Sequence, residues 1–421
     1  MIAPTRIRYA ILSIATANAA LLYLDRVCMG AVIQSQSFQS ELRLTKQETG
    51  DILAIFFFAY ALGQMPAGLL ADRFGPRKML ATYISLWSLA TATTGLTSTL
   101  FAMIAVRAAC GLAEAGAYPA SGLLISRWFP FSHRARASSI VAFGGRIGNA
   151  LALWVTAVAI SWFGSWRPVL WTYGAIGIGL ALLTYFVFRN YPAEHPWVNQ
   201  EERDLIGPSL KKKTTFPFRA LVTHPGLWLL NIGSLGLNFG WAFLITWLPT
   251  YLQEVRGLDQ VTAGRYVSLA LLASLGGMLS GGVLCDMFTR HYGQRWGRRL
   301  PFLFGGGTAA IAYLACPFLP SALAVVIACS IVAFSADIVM PAIWALGQDI
   351  GQSHVASTMA WSNMWGNFGA SAISKLIPIL LASSFHQKDW TEIFIFCAAG
   401  FVTLAASASF IDSTKTLNRA S

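Results

Sequence analysis

Apolar stretches of about 20 residues, long enough to cross the hydrocarbon core of a bilayer as an α-helix, recur from one end of this sequence to the other. No other feature restricts the fold as much. Lipid offers backbone N–H and C=O groups no partner, so a spanning chain must be helical or a closed barrel. The runs here are longer and more uniformly apolar than barrel strands, which alternate over about 10 residues. Of the 421 residues 55% are hydrophobic and 11% charged, against about 25% charged in soluble chains. The sequence therefore predicts an all-α membrane protein.

Twelve spans are expected, at residues 8–34, 47–71, 79–97, 99–127, 138–162, 168–189, 223–252, 262–287, 299–316, 321–346, 355–384 and 390–411. The net charge of +12 gathers in the short connections between them, with no basic stripe interleaved with aromatics, so nucleic acid is not the expected partner. Arg73, Arg77, Lys78, Arg127, Arg134, Arg136, Arg189 and Arg298 fall on one side of the predicted membrane, and few basic residues fall on the other. By the positive-inside rule this puts both termini in the cytoplasm. The first run is too long for a signal peptide and has no convincing cleavage site, so it is expected to stay in the protein.

Residues 188–225 are polar and rich in proline and charge. They read as a cytoplasmic linker between two six-helix halves, with a short amphipathic helix near Glu201 to Ile206. The predicted division is 1–189, 190–222 and 223–421. An internal repeat supports it. "GLLADRFGPRK" (Gly68–Lys78) follows the second span, and the looser "GGVLCDMFTRHYGQRWGRR" (Gly281–Arg299) follows the eighth. Each places a glycine, an aspartate at the helix end (Asp72, Asp286) and then a basic cluster. Duplicated halves with a substrate site between them near mid-membrane are a common transporter design.

Charges inside the spans point to the site. Asp25 and Arg26 lie about 24 Å along the first span at 1.5 Å per residue, where a charge costs about 2.5 kcal/mol or more unless it meets a partner or water. Adjacent helical residues diverge by about 100°, so each is expected to face something different. Arg107, Gly111, Glu114 and Tyr118 recur on one face of the fourth span, Arg146 and Asn149 sit in the fifth, and Tyr60 and Gln64 are one turn apart in the second. Three arginines against two acids read as an anion site, because guanidinium binds carboxylate in a planar fork. Asp25 and Glu114, desolvated, suit reversible protonation. The bland alternative is a static salt-bridge network, which contributes little net stability.

The C-terminal half offers Asn238 and Trp241 in the seventh span, Asn363 and Asn367 in the eleventh, and two isolated charges. Asp337 has no evident partner, and Lys375 is expected near the outer surface, snorkelling. Asp72, Arg73, Arg77 and Asp286 are gating candidates. The six cysteines, Cys28, Cys110, Cys285, Cys316, Cys329 and Cys397, show no CxxC pair and no Cys/His spacing, so neither disulfide nor metal is expected.

These residues resemble the major facilitator superfamily and, within it, the anion:cation symporter family, which includes galactonate, glucarate and hexuronate transporters, sialin and the vesicular glutamate carriers. The resemblance rests on "YLDR", "YALGQMPAGLLADRFGPRK", "RAACGLAEAGAYPA", "FRNYPAEHPWVNQEE" and "NMWGNFGA". It implies a twelve-helix fold in two pseudo-symmetric halves, with Asp25 and Glu114 as protonatable acids and Arg107 as the substrate-anion arginine. Tyr60 and Asn363 or Asn367 would be substrate contacts. Arg146 stands where sugar-acid members commonly place a neutral polar group, and the extra charge suits a dianion or a more acidic head group. Cys28 and Met29 replace polar residues typical of the family.

The expected function is proton-coupled symport of an organic anion, a sugar acid or other carboxylate, by alternating access, in a monomer of the bacterial inner membrane. Glu114 is the first choice for the proton and Asp25 the second. Arg107 and Arg146 would hold the anion, with Arg26 a third cation or Asp25's partner, and no cofactor beyond protons is expected. Export of anionic metabolites or drugs is the nearest rival. A non-transporting sensor would lack an output domain, and an enzyme would lack a nucleophile elbow, metal cluster or P-loop.

Overall fold

The computed structural model of the chain describes residues 4–206, 218–351, 355–383 and 389–412. The first eight helices are α1 (Ile7–Val32), α2 (Gln36–Leu42), α3 (Lys46–Phe74), α4 (Pro76–Thr94), α5 (Leu100–Glu114), α6 (Ala117–Trp128), α7 (Phe131–Phe163) and α8 (Trp166–Val187). Then come α9 (Gln200–Ile206), α10 (Phe218–Thr223), α11 (Pro225–Thr246), α12 (Leu248–Glu254), α13 (Gln260–Ala315), α14 (Ala322–Gly351), α15 (Val355–Ser383) and α16 (Thr391–Phe410). Among the described residues no strand occurs, and ten helical stretches are each long and apolar enough to cross a membrane. The remaining expected spans, 79–97 and 355–384, fall on α4 and α15.

Local chemistry sets the helix ends. Thr45 and Glu48 form a reciprocal capping box at the start of α3, and the side chains of Ser35, Thr99 and Asp259 accept from the first turns of α2, α5 and α13, satisfying donors that no helix can. Three breaks shape the helices, and the first two fall inside what the sequence reads as single spans. Pro119, lacking an N–H, ends the regular ladder between α5 and α6, so Tyr118 lies beyond the turn that follows Glu114. Pro249 does the same between α11 and α12 and leaves the Ile245 carbonyl without its i+4 donor. Gly293, at φ 76°, ψ 169°, separates the two arms of α13.

Gly75, between α3 and α4, has φ 84° and ψ 153°, a region open essentially to glycine alone. A Cβ there would also lie 2.5 Å from Asn190 Oδ1, the oxygen that accepts from Arg77 N at 3.2 Å. The glycine of "GLLADRFGPRK" is thus fixed by backbone and by space.

α1 packs on α7, α4 on α8 and α5, and α3 on α5. In the second group α13 packs on α14 and α16, and α11 on α15 and α16. The groups meet where α15 lies on α3, α13 on α7 and α1 on α11. Several cross-group bonds gather at the end opposite the N-terminus, called distal below. Gln260 Nε2 donates to the Ala31 carbonyl at 3.1 Å, Ser371 Oγ donates to the Ala54 carbonyl at 2.9 Å, and Lys46 pairs with Glu254. Lys375 pairs with Asp51, so this lysine is held across the groups and does not simply snorkel. The Ile245 carbonyl freed by Pro249 presses on Gly30, where a Cβ would come within 2.5 Å of its oxygen.

The linker helix expected near Glu201–Ile206 is α9, and it grips the start of α1. Glu202, fully buried, accepts from the Ile7 and Arg8 backbone N–H groups at 3.1 and 3.2 Å and pairs with the Arg8 guanidinium at 3.0 Å. A carboxylate is thereby set on the positive end of a helix dipole. Burial acts to raise this carboxyl, but the hydrogen bonds from Thr5, Arg8 and Ile7 and the Arg8 charge outweigh it and hold Glu202 below the ordinary carboxylate range.

Candidate functional site

The charged residues of α1 and α5 meet inside the first group. Arg26 Nε donates to Glu114 Oε2 at 3.0 Å, and Nη2 lies 3.0 Å from the same oxygen. The other oxygen, Oε1, receives only the Cys110 thiol at 3.7 Å. Arg26 therefore pairs with Glu114 and not with Asp25, the second of the two roles the sequence left open for it. The 100° offset between neighbours on a helix sends Asp25 the other way, where it is completely buried, without an ion pair to a described residue, and with the Trp87 side chain as the hydrogen-bonding group that acts on it. Arg107 and Glu114 are the charges that act on it.

Aromatic faces hold the cations in place. The Arg26 guanidinium lies over Tyr60 at 4.3 Å and Tyr23 at 5.0 Å, and that of Arg107 over Phe56 at 4.4 Å, the geometry of cation–π attraction. Arg107 is 2% exposed, its Nε has no partner, and its Nη1 meets Cys110 Sγ at 3.9 Å. Tyr23 and Phe56 were not singled out in the sequence, and Cys110 was named only among cysteines expected to form neither disulfide nor metal site. Their signal was helical spacing: Phe56 precedes Tyr60 by one turn, and Cys110 lies one turn from both Arg107 and Glu114.

A second pair crosses between the groups. Arg146 Nη2 donates to Asp337 Oδ1 at 2.7 Å, joining α7 to α14, and the guanidinium lies over the Trp241 ring of α11 at 5.3 Å. This supplies the partner that Asp337 lacked on paper. It also alters the charge count, because three buried arginines now stand with three acids, Asp25, Glu114 and Asp337. Tyr23 links the two clusters. Its ring meets Tyr118 edge-on at 6.1 Å, and both tyrosines act electrostatically on Arg146. Asn149, one turn along α7, is 1% exposed with both amide atoms unpartnered. Gln64 is 3% exposed with a free Oε1.

The α15 amides are arranged differently from each other. Asn363 is exposed, whereas Asn367 is buried and its Nδ2 donates to the Asn363 carbonyl at 2.8 Å. Asn238 Nδ2 donates within its own helix, to the Ser234 carbonyl at 2.9 Å. Of the gating candidates, Asp72 is exposed and makes no ion pair with a described residue, and the Arg127 charge acts on it. Arg73 packs over Phe74, and Arg77 Nε donates to the Tyr185 carbonyl at 2.8 Å. The side chain of Asp286 lies outside the described residues. Arg298, in the loose repeat, pairs with Asp349 at 2.9 Å.

A multi-pass helical membrane protein with opposite charges buried at the seam of two helix groups has the architecture of a secondary transporter. The chain belongs to the Major Facilitator Superfamily, whose sequence profile matches residues 15–374. It is 28% identical to the "Probable sulfoacetate transporter SauU" of Cupriavidus necator, over 98% of this chain and 95% of that one. It is 26% identical to the "Probable L-galactonate transporter" of Escherichia coli (93% and 86% covered). With the "Probable galactarate/D-glucarate transporter GarP" of Escherichia coli the identity is 28% (93% and 92%). The fold is shared with a bacterial homologue of the human lysosomal transporter Spinster. Its inward-facing occupied form matches with a TM-score of 0.72 at 19% identity, over 96% of each chain.

Proposed function

We propose that this protein moves an organic anion across a bacterial inner membrane together with protons, by alternating access, as a carrier and not an enzyme. The observation that carries the proposal is the balance of buried charge. Arg26, Arg107 and Arg146 face Asp25, Glu114 and Asp337, so with all six ionised the set is neutral. An anion added to it leaves one uncompensated negative charge in a low-dielectric interior, which costs several kcal/mol. A proton on one carboxyl removes that charge, so anion and proton bind together. Electrostatics then favours symport.

Within this reading, the anionic head displaces Glu114 from Arg26 and takes Arg107 beside it, and the released Glu114 accepts the proton. Asp25 is the second protonation site, since it is completely buried and makes no ion pair with a described residue. Tyr60, Gln64, Asn363, Asn367, Trp241 and Asn238 meet the rest of the substrate. With both termini cytoplasmic, the distal contacts close the outward path, and Asp72, Arg73, Arg77 and Asp286 act in the opposite state. The names of the relatives favour sugar acids and sulfonated carboxylates as substrates.

The test is uptake into proteoliposomes of galactonate, galactarate, sulfoacetate and aromatic acids, with and without an inward proton gradient. Wild type is expected to accumulate at least one of them only with the gradient, and Glu114→Gln to retain exchange without accumulation. Uptake of none under any gradient would remove the reading.

A further inference from the structure

Asp337 stands apart from the acids of the first group. It comes from the other group, its side chain is 2% exposed, and it meets Arg146 through one oxygen, Oδ1, while Oδ2 is buried off the guanidinium and the Ser274 side chain also acts on the carboxylate. A guanidinium can bind two oxygens of one carboxylate side by side, and that fork is the stronger arrangement. The contact in place is therefore a suboptimal occupation of an anion-binding group. The surroundings are those of a ligand subsite: Trp241 under the guanidinium, Tyr23 and Tyr118 beside it, and the unpartnered buried amide of Asn149 one turn away on the same helix. Tyr23 also lies under Arg26, so the Arg146 subsite and the Arg26–Glu114 cluster share one wall.

We propose that Asp337 is an internal stand-in for substrate: in the anion-free protein it occupies the place on Arg146 that the second acid group of a dianion takes when bound. The proposal rests on the anion-transport reading above. A monoanion needs only the Arg26–Arg107 cluster and leaves Arg146–Asp337 closed. A dianion reaches Arg146 as well and breaks the bond between α7 and α14, which belong to different groups. Asp337 is then a specificity-determining residue that competes with the second acid group.

Matched pairs of probes test this: galactonate with galactarate, and acetate with sulfoacetate, each differing by one acid group. Equilibrium binding to purified wild type, Asp337→Asn and Arg146→Gln is measured by competition with a labelled member of the pair. Asp337→Asn removes the competitor, together with one negative charge of the balanced set that every anion feels, and is expected to tighten the dianion at least tenfold more than the monoanion. Arg146→Gln is expected to bring the dianion down to the affinity of the monoanion. If Asp337→Asn is too unstable to purify, Arg146→Gln/Asp337→Asn, which carries neither charge, is expected to bind the monoanion like wild type and to have lost the dianion preference. Equal shifts for both probes, or a dianion preference that survives in the double variant, would overturn the role of Asp337 while leaving anion transport intact. If no probe binds wild type, the anion-transport reading and this one fall together.

Discussion

Gly30 is where a single methyl group tests the conformational side of the account. A Cβ at this position would sit 2.5 Å from the Ile245 carbonyl oxygen, about 0.9 Å inside the 3.4 Å at which ordinary contact begins. The obstacle is backbone, held by α11 on one side and by Pro249 on the other, so it cannot rotate aside. Overpacking of this kind costs about 1–3 kcal/mol. The other close atom, Leu153 Cδ2 of α7 at 3.0 Å, is the end of a flexible side chain that can give way, whereas the backbone strain against Ile245 exists only while α1 and α11 touch, so Gly30→Ala should shift the protein toward distal opening by a factor of about 5 to 150, at 1.4 kcal/mol per tenfold. Ala157 of α7 is a suitable reporter. It is 1% exposed and packs near Gly264 of α13, in the same distal seam, and all six native cysteines are buried. In an Ala157→Cys background, the rate of labelling by a membrane-impermeant maleimide should rise by the same factor when Gly30→Ala is added. Equal rates within twofold, in protein that remains folded, would refute the claim that backbone contact at Gly30 holds the distal face shut.

Three further outcomes follow from the geometry. Arg26→Gln strands Glu114 in the interior and should cost about 3–5 kcal/mol in unfolding in detergent. Adding Glu114→Gln should recover most of the loss, and independent losses for the two substitutions would contradict the pairing. Gly75→Ala should cost about 1–3 kcal/mol for its left-handed backbone alone, with a further loss that Asn190→Ala relieves, read in the same assay. Glu202 lies below the ordinary carboxylate range, so its stabilising contribution is complete above its unfolded value of about 4.3. That contribution is lost as pH falls through the lower folded value. Glu202→Gln should therefore lower stability at pH 7 by about 1–2 kcal/mol for a charge on a helix end, read as a lower thermal midpoint, and the difference from wild type should shrink as pH falls below about 4.3.

Much of the fold was legible because membrane helices are written locally. Twenty apolar residues, a capping threonine and a proline each act within a turn or two, and the linker helix at Glu201–Ile206 showed its own amphipathic pattern. The buried charges were equally legible, since an Asp–Arg step inside an apolar run has few innocuous explanations. Their pairing was not. Arg26 meets Glu114 across 88 residues and Arg146 meets Asp337 across 191, distances over which one sequence carries no signal. The arginine surplus read from the first half disappeared only when α14 delivered a third acid to the seam. Local rules also missed the consequence of Pro249: the helix break could be read, but not that the freed Ile245 carbonyl would rest on Gly30.

The most direct test of the central claim follows proton movement in the same vesicles that take up the anion. Proteoliposomes holding a pH-sensitive dye would receive a transported anion from outside, with the membrane potential clamped and no initial pH gradient. The balanced set of three arginines and three acids predicts that the lumen acidifies at a rate proportional to anion influx, and that Glu114→Gln abolishes net influx and acidification together. Anion influx at the wild-type rate with no change in lumenal pH would contradict the account, because the buried negative charge would then have been compensated by something other than a proton.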